Sequence, residues 1–256
     1  MLQAHSFLWH YLWVAPNVLF LFLGFVLWRR KLTQQFPAFV AFAIIGSISE
    51  LAVYTADVVP RVSAQTFWRV DWASLLAEGI LKFAVIGEIF AHVLGPYSSL
   101  ARLGKSSIRA VGVILVLVAA LAAAYAPKDS VFGIVSGAHL LEQTTYLIES
   151  GLLVFIVGLA FYFRLSFGRA LFGITIGLSF SACVHLASWA IVANAGLPDQ
   201  TRSLFDLFRM ATYHACVLLW FYYLLVPGKV TTKSTVPLPE NTLDVWNREL
   251  ERLVHP

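Results

Sequence analysis

The stretch Ser136-Gly-Ala-His-Leu-Leu-Glu-Gln-Thr-Thr-Tyr-Leu-Ile-Glu-Ser150 opens a long apolar run, yet it carries His139, Glu142, Gln143, Tyr146 and Glu149. Wound as a helix from His139 at 0°, Ser136 falls at about 60°, Gln143 at about 40°, Ser150 at about 20°, Tyr146 at about 340°, Glu142 at about 300° and Glu149 at about 280°. The polar groups share one side and most apolar residues lie opposite. Lipid cannot satisfy such groups, so in a membrane they turn toward the bundle interior or a wet cavity. The stretch therefore predicts an all-α integral membrane protein with a polar interior.

Composition agrees. The chain has 256 residues, 59% hydrophobic and 12% charged, and a mean hydropathy of +0.76. Soluble domains carry about 25% charged residues. The eight tryptophans suit a protein with two lipid–water interfaces. The net charge of +4 comes with no basic patch interleaved with aromatics, so no nucleic-acid partner is expected. Cys183 and Cys216 both fall in apolar runs and read as small hydrophobes, not as a disulfide framework.

Outward from the central stretch, hydropathy predicts seven transmembrane helices over about 8–28, 36–59, 74–94, 108–125, 131–163, 170–194 and 202–226. The segment Pro60–Asp71 reads as a loop, and Pro16-Asn17 as a kink in the first span. Arg29-Arg30-Lys31 follow the first apolar run; a cleaved signal has its charges before that run, so the span is expected to be retained. Positive charge gathers after spans one, three, five and seven (Arg29–Lys31, Arg102 with Lys105 and Arg109, Arg164 with Arg169, Lys229 with Lys233). The opposite loops are near neutral. The amino terminus is thus expected outside and the carboxyl terminus in the cytoplasm, in the inner (plasma) membrane of a bacterium. Residues 1–228 form the seven-helix domain and 229–256 a cytoplasmic tail. In that tail Leu243, Trp246, Leu250 and Leu253 mark a short amphipathic helix, fit to lie on the inner leaflet or to meet a partner membrane or cytoplasmic protein.

Five spans carry buried chemistry. Span two holds Glu50. Span three holds Glu78, Lys82, Glu88 and His92, whose i, i+4 spacing allows the pairs Glu78–Lys82 and Glu88–His92. Span six offers Ser181, His185, Ser188 and Trp189, and span seven Asp206, Arg209, Tyr213 and Trp220. His214 lies about 140° from Arg209 at helical spacing. An arginine in a bundle needs a carboxylate, and Asp206, Glu142 and Glu50 are the candidates. Depth counting puts most of these groups in the outer half, so helices two, three, five, six and seven are expected to line one outward-opening cavity. Helices one and four, poor in ionisable groups, are expected to face lipid.

The leading functional expectation is a ligand-binding or sensory membrane domain for a small polar or anionic ligand. Arg209 would hold the anionic group; Glu142, His139, His185, Glu50 and Tyr146 would shape the pocket, and Glu78–Lys82 would brace it. A different class is a metal- or haem-dependent membrane enzyme using His139, His185 and His214. A proton-coupled carrier and a scaffold subunit whose polar groups merely satisfy one another are further alternatives. A retinal Schiff base would need a lysine in span seven, which has none. No phosphate loop, Gly-x-Ser-x-Gly or Cys-x-x-Cys motif is present, and no cofactor is required by the leading expectation.

Overall fold

The computed structural model describes residues 6–95, 131–162, 167–194 and 199–226, with isolated helical positions between 106 and 117; the side chains of 131–141, 189, 192–194, 199–200 and 202 fall outside that description. Among the described residues six helices carry the fold: α1 (Phe7–Arg29), α2 (Pro37–Val58), α3 (Ala64–Leu94), α4 (Val131–Tyr162), α5 (Arg169–Asn194) and α6 (Asp199–Leu225). Among the described residues there is no strand. Five of the helices, all but α3, contain a segment long and apolar enough to cross a membrane. The five acidic and basic residues Arg69, Asp71, Glu78, Lys82 and Glu88, spread along the helix, keep α3 out of that class. Span four of the sequence reading (108–125) and the tail (229–256) lie largely or wholly outside the described residues; Val113, Ile114 and Leu117 are exposed.

Successive helices pack side by side, and α6 returns to pack on α1, which closes the six into a ring. Outward faces are apolar: Phe22 and Phe25 on α1, Val154 and Phe161 on α4, Phe208 and Tyr222 on α6 are all exposed. Such faces suit contact with a lipid bilayer. The ring interior divides into a dry half and a polar half. Phe20 and Phe39 lie in the dry half and Phe42 and Trp220 at its border with the polar half, with Trp220 stacked on Phe20 (centroids 4.9 Å apart) and edge-on to Phe39 (5.4 Å).

Local chemistry explains the helix ends. Ser63 Oγ accepts from Thr66 N at 3.2 Å and starts α3 at Ala64. This corrects the expected loop over 60–71: the polar first turns of α3 escape a hydropathy window, yet a serine cap followed by Trp68, Val70 and Trp72 sustains a helix there. α2 begins with Pro37 at its first turn, and its next two amides, Ala38 N and Phe39 N, donate to Glu88 of α3 at 3.2 Å each. A carboxylate from a neighbouring helix thus caps the positive end of α2. The Glu88 carboxylate is engaged there; His92 Nδ1 instead meets the Glu88 backbone carbonyl (2.9 Å), and its ring stacks on Phe36.

α2 is not uniform. Phe42–Gly46 forms one π-helical turn, which shifts the phase of the residues that follow, Glu50 among them. Against this turn lies Gly24 of α1, where an added Cβ would sit 2.8 Å from Ile44 Cγ1 and 3.1 Å from Ala43 Cβ. A similar close approach joins α5 to α6: Gly177 is packed so tightly on the Trp220 indole that no Cβ fits between them. Small residues at these crossings let backbones approach without a clash. Pro16 sits within α1, which continues through it to Arg29.

Candidate functional site

The polar half of the ring holds a cavity of about 480 Å³ lined by all six helices. It occupies one end of the bundle. Residues from the amino-terminal halves of α1, α3 and α4, from α6, and from α2 and α5 meet there.

Lys82 of α3 lies at the centre of the buried electrostatics. Its ammonium is 2.8 Å from Glu78 one turn earlier, 3.6 Å from Glu149 of α4, and 4.3 Å from the Tyr146 ring centroid, over the ring face. Lys82 is 5% and Glu149 0% exposed. A buried charge requires such partners, because desolvation otherwise costs several kcal/mol (order of magnitude). Among the described residues no hydrogen bond reaches either carboxylate oxygen of Glu149, and the Lys82 charge 3.6 Å away balances it. On its other face Tyr146 stacks on His185 of α5, with centroids 4.4 Å apart. His185 Nδ1 is held by the Ser181 carbonyl at 2.9 Å.

A second ion-pair group sits on α6. Arg209 is bonded to Asp206 one turn earlier and lies 3.8 Å from Glu142 of α4. Of the three carboxylates expected as its partners, these are two. The third, Glu50, is elsewhere: it accepts from Ser74 Oγ at 3.2 Å and from the Trp13 side chain, with Glu78 and Asp71 as its charged neighbours.

Of the candidate ligand-binding residues, Arg209, Glu142, His185, Glu50, Glu78, Lys82 and Tyr146 all line this one cavity. The side chain of His139 lies outside the described residues. His214 is not in the lining; its ring lies 5.8 Å from that of Tyr11. Among the described residues no three His, Cys, Asp or Glu side chains converge as a metal site would require.

The structure corrects one placement. Helix α1 does not simply face lipid: Trp9, Trp13 and Asn17 form a wall of the cavity. Asn17 is 3% exposed, donates to the Trp13 carbonyl at 2.8 Å and accepts from Tyr213 OH at 3.4 Å. The signal was in the chain, since positions 9, 13 and 17 recur every four residues on one helix face; a search restricted to ionisable groups passes over it. Asp71 and Trp68, at the start of α3, also line the cavity and fall in the segment expected to be a loop.

No family model, curated protein or solved structure matches the chain.

Proposed function

We propose that this protein spans the membrane seven times, amino terminus outside and carboxyl terminus in the cytoplasm of a bacterium, and binds a small polar ligand in an outward-opening cavity. The single observation that carries the reading is that seven candidate residues from five different helices line one cavity of about 480 Å³. That volume suits a small molecule. The ion pairs Lys82–Glu149 and Arg209–Glu142 each cross between helices, so a ligand that competes for one partner changes how α3, α4 and α6 are held together. A shift of that kind is what a sensory domain passes to a partner. The test is a thermal-unfolding screen of the detergent-purified full chain against small polar metabolites. Saturable stabilisation that is lost in cavity-lining variants supports the reading. Stabilisation by none of them, with a folded protein, counts against it.

A second reading, a proton-coupled carrier, draws on one feature: Lys82 stands between a cavity carboxylate, Glu78, and a sealed one, Glu149. Substrate-driven proton uptake in vesicles separates it from a binding domain.

A further inference from the structure

The charge of the lining tells which ligand fits. Among the described residues five carboxylates line the cavity, Glu50, Asp71, Glu78, Glu142 and Asp206, against two cations, Lys82 and Arg209. Both cations are already engaged by carboxylates, Lys82 by Glu78 and Glu149 and Arg209 by Asp206 and Glu142. An anionic ligand would have to displace a carboxylate from one of them, and would add negative charge to an acidic chamber. Neither favours it.

Glu50 is differently placed. Its oxygens are held by neutral donors, Ser74 and Trp13, and among the described residues no cation forms an ion pair with it. Its charged neighbours, Glu78 and Asp71, are of like sign. The wall beside it is aromatic. The Trp13 ring lies 4.6 Å from Trp9 and 5.6 Å from Tyr54, edge to face in both cases, and Trp9 and Trp13 line the cavity. A carboxylate beside aromatic rings is the setting in which proteins hold ammonium groups. The same chamber already solvates one ammonium in this way: Lys82 Nζ rests on the Tyr146 ring with a carboxylate on either side.

We propose that the cavity takes an organic cation, an amine or quaternary ammonium compound, with its charged end between Glu50 and the Trp9–Trp13 wall. This assignment rests on the ligand-binding reading above and adds the sign of the ligand's charge. Arg209 then serves as a clamp between α4 and α6 and not as an anion holder.

The experiment uses the full chain in lipid nanodiscs and three probes: choline, its neutral isostere 3,3-dimethylbutan-1-ol, and acetate. The tryptophan-fluorescence change on binding, compared between the wild type and the Trp13 variants, reports on the Trp9–Trp13 wall, and thermal unfolding gives an independent signal. The expected result is saturable binding of choline alone, weakened about tenfold or more in Glu50→Gln, which corresponds to about 1.4 kcal/mol. Glu50→Gln keeps the Ser74 contact, so its unfolding temperature without probe should match the wild type. Trp13→Phe should retain part of the affinity and Trp13→Leu should lose it. Acetate binding in place of choline overturns the cation assignment and leaves a ligand-binding cavity standing. Equal binding of choline and its neutral isostere also overturns the assignment, because the charge is then not read. If no probe saturates, nor any member of a wider panel of mono- and polyamines, the cation assignment falls, and the ligand-binding reading is then decided by the screen of small polar metabolites described above.

Discussion

Lys82 Nζ lies 3.6 Å from Glu149 Oε2, and the two residues, on α3 and α4, are 5% and 0% exposed. The pair joins the polar cavity to the sealed interior, because Lys82 also reaches Glu78 in the cavity lining. Removing one member leaves a buried charge without a counter-charge, which costs about 3–5 kcal/mol. Lys82→Met should therefore lower stability strongly, while the double variant Lys82→Met/Glu149→Gln should recover most of the loss. Thermal unfolding in detergent measures both. A double variant no more stable than the single one would show that Glu149 is not balanced by Lys82.

Glu88 makes a narrower prediction. Its carboxylate is the acceptor for Ala38 N and Phe39 N at the start of α2. Glu88→Ala should cost about 0.5–2 kcal/mol, the usual range for a lost cap, with Glu88→Gln in between. Hydrogen exchange gives the local readout: the amides of Ala38 and Phe39 should exchange faster in Glu88→Ala while those of α5 and α6 stay unchanged.

The contact of Gly177 with the Trp220 indole leaves no room for a side chain. Gly177→Leu should therefore displace Trp220 from its stack on Phe20 and destabilise the protein by about 1–3 kcal/mol or more, the cost of overpacking. Near-ultraviolet circular dichroism should lose part of its tryptophan signal. Wild-type spectra and stability in Gly177→Leu would contradict the close α5–α6 approach.

Much of the site was legible along the chain, and the reasons for the rest are physical. Polar side chains on apolar helices are expensive, so Glu142, Tyr146, Lys82 and Arg209 announce themselves, and helical spacing alone links Glu78 to Lys82 and Asp206 to Arg209. Glu50 was visible as a buried carboxylate, but its partners were not. The π turn at Phe42–Gly46 alters the phase of α2, and no residue pattern marks such a turn. Glu88 shows the limit of local pairing rules: a cap fifty residues away outcompetes the neighbour one turn on. The wall of Trp9, Trp13 and Asn17 was regular in spacing yet uncharged, so charge-based reading assigned α1 to lipid. The early start of α3 hid behind the low hydropathy of its first turns.

The most direct measurement of the central claim, an outward-opening cavity at this end of the bundle, is accessibility of a cavity-lining position in intact cells. Met210 lines the cavity, whereas Gln34 is exposed at the turn between α1 and α2, at the opposite end. With Cys183 and Cys216 replaced by alanine, Met210→Cys and Gln34→Cys are each exposed to a membrane-impermeant maleimide. The expected result is labelling of Met210→Cys from outside, slowed by a bound ligand, and labelling of Gln34→Cys only after the membrane is opened. Labelling of Gln34→Cys from outside, with Met210→Cys reached only from the cytoplasmic side, would contradict the orientation and with it the outward-facing site.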